Sequence, residues 1–209
     1  MTARAPAVFL DRDGTLIEEA GYLDSLERLQ WFPWTVDALR LLERAGYRRV
    51  VVTNQSGIAL GLFDEAFVQA THAEMSTRLA AAGASIDGYY YCPHHQAGVV
   101  EELRVACRCR KPGPALVEQA ARDLDIDLAR SFAIGDRWTD VRLAAAAGLR
   151  GGILLRTGYG RSAERRPVGG VRAAHVADHL MAAVSWILAQ DADDGVGAVG
   201  SLSGEAQRA

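Results

Sequence analysis

Five apolar runs, at residues 7–10, 48–52, 88–91, 131–134 and 151–155, are too short for helices and too continuous for strands with one wet face. Runs of this kind belong to strands buried on both sides, as in a parallel sheet sandwiched between helices. The intervening segments carry helical periodicity, at 34–45, 64–82, 113–124 and 138–147, with a last one at 175–189. Gly46, Gly83 and Gly148 stand where left-handed helix ends are expected. Strand and helix in alternation predict an α/β fold with right-handed crossovers and helices on both faces.

The chain has 209 residues, 49% of them hydrophobic, enough for one well-packed core. No apolar run reaches membrane-spanning length, and the first nine residues lack the apolar stretch of a secretory signal, so a cytoplasmic protein without a membrane partner is expected. Residues 1–189 are expected to form the folded domain. Residues 190–209, rich in Gly, Ala, Ser and Asp, read as a disordered acidic tail. That tail holds the whole formal charge of -3, which leaves a neutral body with no field for nucleic acid. A small charged ligand and a monomeric protein are expected.

In open parallel sheets, ligands bind beyond the carboxyl ends of the strands. Here those ends are polar: Asp11-Arg12-Asp13-Gly14-Thr15, then Thr53-Asn54-Gln55-Ser56-Gly57, then Cys92-Pro93-His94-His95, then Gly135-Asp136. Buried carboxylates need a compensating cation. Magnesium, which takes a few carboxylate or carbonyl oxygens and completes its shell with water and phosphate, would suit Asp11, Asp13 and Asp136. Asp140 is open to two readings, support for the metal or complementarity to a helix dipole.

Phosphoryl transfer also needs donors around the non-bridging oxygens. Thr53, Asn54 and Lys111 offer a hydroxyl, an amide and an ammonium, and the turn after Thr53 offers backbone N–H groups as an anion nest. The chain contains 22 arginines but a single lysine and a single asparagine, and both of the latter fall inside these motifs.

All three cysteines, Cys92, Cys107 and Cys109, lie within eighteen residues, with His94 two after the first. Three thiolates and one imidazole make a closed tetrahedral zinc site, structural because no position remains for water. His95 is the competing imidazole. The loop runs through Arg108 and Arg110 into Lys111, so its metal would also position that lysine. His175 and His179, four apart, read as a solvated helix face.

The motif Asp11-Arg12-Asp13-Gly14-Thr15 after the first strand, with Thr53, Lys111 and Asp136, resembles the haloacid-dehalogenase-like superfamily over residues 7–185. The resemblance implies a Rossmann-like sheet and a phosphatase. Asp11 would be the nucleophile that forms an aspartyl-phosphate, and Asp13 the acid and then the base. Magnesium would bind the Asp11 and Asp136 side chains and the Asp13 carbonyl; Thr53 and Lys111 would hold the phosphoryl group. Residues 16–33 and 92–112 are too short for a large cap domain. The zinc loop, with twelve residues between His94 and Cys107, is similar to that of the heptose bisphosphate group rather than the histidinol-phosphate group. A small phosphorylated sugar is therefore implied as substrate. Glu19, Gly21, Tyr22, Asn54, Gln55 and Ser56 would line its site, and Arg110 and Arg137 would meet a second phosphate. Leu60 and Trp34 depart from the group's pattern, where Arg and Gly are usual. The reading from another class is a zinc-stabilised binding protein without activity.

Overall fold

The computed structural model describes residues 4–200, with side chains as far as residue 192. Six strands, β1 (Ala7–Leu10), β2 (Arg48–Asn54), β3 (Gly88–Cys92), β4 (Phe132–Gly135), β5 (Gly151–Leu155) and β6 (His175–Ala177), form one parallel sheet in the order β3-β2-β1-β4-β5-β6. The helices are α1 (Thr35–Arg44), α2 (Glu65–Ala81), α3 (Ala115–Asp123), α4 (Trp138–Ala146), α5 (Gly160–Glu164) and α6 (Leu180–Gly200). The fold is α/β and Rossmann-like. Strand order reverses between β1 and β4, which opens the crevice where such sheets bind ligands.

Alternation along the strands divides the core between two faces. Val8, Leu10, Val51, Ile134 and Leu155 pack with α1, α2 and α6, whereas Ala7, Phe9, Val50, Val52 and Ala133 pack with α3 and α4. Both faces are dry, as the continuous apolar runs require. The expected glycine ends are present, with φ of 80°, 67° and 67° at Gly46, Gly83 and Gly148.

The last segment differs from expectation. Residues 175–177 do not open a helix; they pair with Ile153, Leu154 and Leu155 and complete the sheet. The open edge of β5 supplies ladder bonds that the start of a helix could not. His175 and His179 consequently do not share a solvated helix face. His175 stacks on Trp186 at 5.0 Å and His179 on Trp34 at 4.5 Å, while His179 Nδ1 accepts the Ala182 N–H at the start of α6. Trp34 thus packs at the start of α6 and does not line the cavity described below. Helix α6 runs past residue 190, so the expected tail boundary falls inside it, and Asp191 accepts hydrogen bonds from Tyr47 and Arg150. The remainder of the expected tail, 201–209, lies outside the described residues. Among the described residues no helix is long and apolar enough to cross a membrane, and no cap domain is inserted between the elements.

One buried group ties stability to pH. His72, on α2, stacks against Tyr89 at 4.7 Å and its Nε2 has no hydrogen-bond partner. Burial, and then the charge of Arg12, pull its pKa down to about 3 from 6.5. The folded state therefore holds His72 neutral where the unfolded chain would protonate it, so its contribution is complete above 6.5 and is lost as pH falls towards 3. His72→Phe is expected to lessen the acid loss of stability by up to about 1 kcal/mol per pH unit below 6.5, read from urea unfolding at several pH values. Parallel curves for the two proteins would exclude this role.

Candidate active site

Asp11 follows β1 and Asp136 follows β4, so the two strands flanking the reversal of order bring their carboxylates together. Oxygens of Asp11, Asp136 and Asp140 all lie within 4.8 Å of one another. Each has a distinct environment. Asp11 Oδ1 accepts the Arg12 N–H at 2.8 Å and pairs with Lys111 Nζ at 2.9 Å, leaving Oδ2 to a ligand. Asp136 is wholly buried; its Oδ2 accepts the Tyr159 N–H at 2.7 Å, and its Oδ1 accepts no hydrogen bond. Burial, and then the neighbouring Asp11, push Asp136 up to about 8. Arg137 Nε is 4.0 Å from Oδ1 and does not hydrogen-bond it. A buried carboxylate with an oxygen that accepts no hydrogen bond, beside two other carboxylates, is what a divalent cation would satisfy, and the donor set is all oxygen, as magnesium requires.

Asp140 caps its own helix and also lies in the carboxylate cluster. Its Oδ2 accepts the Arg137 N–H at 3.0 Å and caps α4, and its Oδ1 pairs with Lys111 Nζ at 2.6 Å. The Asp13 carboxylate stands apart from this cluster, held instead by Arg12 and Gln55. The Asp13 carboxylate, read from the sequence among those a cation would compensate, is thus not in the cluster; the resemblance implied its main-chain carbonyl as the ligand.

Lys111 is buried. Burial alone would lower its pKa, but Asp11 and Asp140 outweigh this and hold it above the ordinary lysine range. Asn54 fixes the same residue, its Oδ1 accepting the Lys111 N–H at 2.9 Å and its Nδ2 donating to the Lys111 carbonyl at 3.3 Å. The asparagine amide is thus used on protein backbone. The N–H of Gln55 is likewise used, on the Cys92 carbonyl, and takes no part in an anion nest. Thr53 Oγ1 accepts from Gln55 Nε2 at 2.9 Å, which leaves its own hydroxyl hydrogen free to donate.

These groups open onto a polar cavity of about 310 Å³. Asp11, Asp13, Thr53, Asn54, Gln55, Ser56, Arg110, Lys111 and Arg137 line it together with Glu19, Gly21 and Tyr22, and Glu19 Oε2 lies 4.0 Å from Arg137 Nη2. Glu19 Oε1 accepts the Gly21 N–H at 2.6 Å, and burial, then Asp13, raise its pKa. Leu60 is absent from the lining.

The cysteine cluster closes beside the cavity. Cys92, Cys107 and Cys109 are free thiols, with Sγ–Sγ separations of 3.1–3.5 Å, and His94 Nδ1 lies 3.6 Å from Cys92 and 3.1 Å from Cys109. A tetrahedron around zinc has edges of about 3.5–3.8 Å, so a small expansion admits the ion. His94 is the imidazole brought into the cluster. His95 instead lines the cavity, and its Nδ1 accepts the Ala97 N–H. Arg110 Nη1 donates to the His94 carbonyl at 3.2 Å, linking the cluster to the residue before Lys111.

A model of HAD-hydrolase-like proteins matches residues 108–183. D-glycero-beta-D-manno-heptose-1,7-bisphosphate 7-phosphatase of Salmonella typhi is 44% identical over 164 residues, 78% of this chain and 87% of that protein. The chain belongs to the haloacid-dehalogenase-like phosphatases. The protein of the same name from Rhodopseudomonas palustris is 46% identical over 148 residues, 71% of this chain and 82% of its own. The solved D,D-heptose 1,7-bisphosphate phosphatase of B. bronchiseptica, complexed with magnesium and phosphate, superposes with a TM-score of 0.78 at 34% identity. That match covers 88% of this chain and 99% of the other. The corresponding Burkholderia thailandensis structure gives 0.64 at 30% identity, covering 88% and 98%.

In this haloacid-dehalogenase-like phosphatase a fifth strand end joins the four read from the sequence. Thr157 Oγ1 donates to the Gly14 carbonyl at 2.6 Å, and the Tyr159 N–H holds Asp136. Gly158, at φ +50°, passes so close that a Cβ would lie 2.2 Å from Asp136 Oδ2 and 2.9 Å from the Gly14 Cα. Only glycine allows that approach. The Tyr159 ring also lies 3.9 Å from the Arg137 guanidinium and stacks on it at the cavity edge. The run Thr157-Gly158-Tyr159-Gly160 directly after a buried strand was the available signal, since the strand-end rule that found the other four applies equally there.

Proposed function

We propose that the phosphatase hydrolyses the 7-phosphate of D-glycero-D-manno-heptose 1,7-bisphosphate, in the β form, through an aspartyl-phosphate on Asp11. The observation that carries this reading is the meeting of Asp11, Asp136 and Lys111 at the strand-order reversal, beneath a polar cavity flanked by Arg110 and Arg137. Relatives 44–46% identical that bear the β-heptose name support the sugar and its anomer.

Asp11 Oδ2 attacks phosphorus, and the bond to the sugar C7 oxygen breaks with its electron pair on that oxygen. Asp13 supplies the proton to the departing alkoxide. Asp13 then takes a proton from water as the water oxygen attacks the aspartyl-phosphate, and breaking of the Asp11–phosphorus link restores the carboxylate and frees phosphate. Thr53 and Lys111 bind the non-bridging oxygens throughout. Arg110 and Arg137 meet the second phosphate, and Glu19, Gly21, Tyr22, Asn54, Gln55 and Ser56 form the rest of the substrate side. Magnesium, held by Asp11, Asp136 and the Asp13 carbonyl, would offset the charge that accumulates between nucleophile and phosphoryl group. Zinc held by Cys92, His94, Cys107 and Cys109 would be structural.

Phosphate release from both anomers of heptose 1,7-bisphosphate and from histidinol phosphate tests the assignment. Magnesium-dependent release with kcat/KM at least about tenfold higher for the β heptose is expected, a modest discrimination for a site built on two phosphate contacts. Preference for histidinol phosphate would overturn the sugar and leave the chemistry.

A further inference from the structure

Arg12 is 2% exposed and stands between two aspartates that each have a role in the chemistry. Its guanidinium forms a fork on the second of them, Nε donating to Asp13 Oδ2 at 3.0 Å and Nη2 to Asp13 Oδ1 at 3.2 Å. Nη2 also donates to Gln55 Oε1 at 3.0 Å. Gln55 completes the ring, since its Nε2 donates to Asp13 Oδ2 at 3.1 Å and to Thr53 Oγ1 at 2.9 Å. The amide has one orientation that satisfies all three of its contacts, because its oxygen must face the guanidinium and its nitrogen the two acceptors.

The consequence is mechanical. Three N–H donors hold the Asp13 carboxylate, and two of them come from a single planar, charged, buried group. Asp13 cannot turn about its side-chain bonds without breaking that fork and stranding a guanidinium out of water, which is costly. The main chain is pinned as well, for Asp13 bridges to Ile17 and the Arg12 carbonyl accepts the Leu16 and Ile17 N–H groups. Through Gln55 the same ring reaches Thr53, so acid and phosphate-holding hydroxyl keep a fixed relation.

We propose that Arg12 is a positioning residue that aims the Asp13 carboxyl group at the leaving oxygen, with Gln55 coupling its placement to Thr53. The inference rests on the reading of Asp13 as proton donor, and it is independent of which sugar is bound. An ion pair that served stability alone would not care what leaves the phosphorus. A group that aims the acid would matter for an alkoxide, which departs with a proton, and hardly at all for p-nitrophenolate, which departs without one.

The test compares kcat/KM, which reports steps through the first phosphoryl transfer, for heptose 1,7-bisphosphate, β-glycerophosphate and p-nitrophenyl phosphate. Arg12→Lys keeps the charge and loses the fork; it is expected to lower kcat/KM about 30-fold or more for the two alkyl phosphates and less than about threefold for the aryl phosphate. Gln55→Leu, which leaves the salt bridge in place, should give the same split in smaller measure and keeps the idea testable if the arginine variant does not fold. Equal losses on alkyl and aryl phosphates, or no loss on either, would overturn the inference. Asp13→Asn separates the two claims. If it too slows both classes equally, the acid assignment fails and takes this inference with it. If it shows the split while Arg12→Lys does not, the positioning role alone fails.

Discussion

Asp11→Asn is expected to abolish turnover, lowering phosphate release by about 10⁴-fold or more, because it removes the proposed nucleophile. The same substitution should leave the fold intact. Asp11, Asp136 and Asp140 crowd three carboxylates around a single buried ammonium, Lys111. Taking one carboxylate away relieves repulsion among the others, and Lys111 keeps its 2.6 Å partner in Asp140. The melting temperature in the absence of magnesium is therefore expected to stay level or rise. Loss of activity together with a retained or raised melting temperature distinguishes a catalytic carboxylate from a structural one. A variant retaining more than about one hundredth of wild-type turnover would refute the aspartyl-phosphate route.

Removal of the zinc proposed for the cysteine cluster is expected to have the second largest effect, on stability and turnover together. Four side chains converge where the loop after β3 returns to Cys92, and structural zinc typically contributes many kcal/mol to small sites of this kind. Cys109→Ser, or chelation with magnesium resupplied, should destabilise the protein by about 4 kcal/mol or more, a fall of roughly 10 °C in melting temperature. Turnover should fall at least about tenfold because Arg110 donates to the His94 carbonyl and Lys111 follows it directly in the chain. Metal content by atomic emission verifies the removal, and zinc resupply should restore both properties. Unchanged activity in protein shown to be zinc-free would reject the link between loop and lysine.

Much of the site was legible because parallel sheets gather their strand ends. Once the apolar runs were read as strands, Asp11, Thr53, Cys92 and Asp136 had to emerge on one edge, and the structure places them so. The cysteine spacing was equally readable, since Cys92, His94, Cys107 and Cys109 span one loop that returns to its own beginning. Less was readable where two partners compete for one group. Asn54 could have faced phosphate or backbone, and it faces the Lys111 backbone. His175 could have begun a helix, and the free edge of β5 captured it instead.

The sequence by itself determined the layered α/β class, the residues at four strand ends and the gathering of Cys92, Cys107 and Cys109 with a neighbouring histidine in one loop. These follow from period, burial and spacing, which are properties of neighbours along the chain. The tertiary structure alone decided that Arg12 and Gln55 together grip Asp13, that Gly158 closes over Asp136, and that His94 rather than His95 joins the thiols. Each of those depends on the direction in which a side chain points across the crevice, and direction is set by packing between segments far apart in sequence.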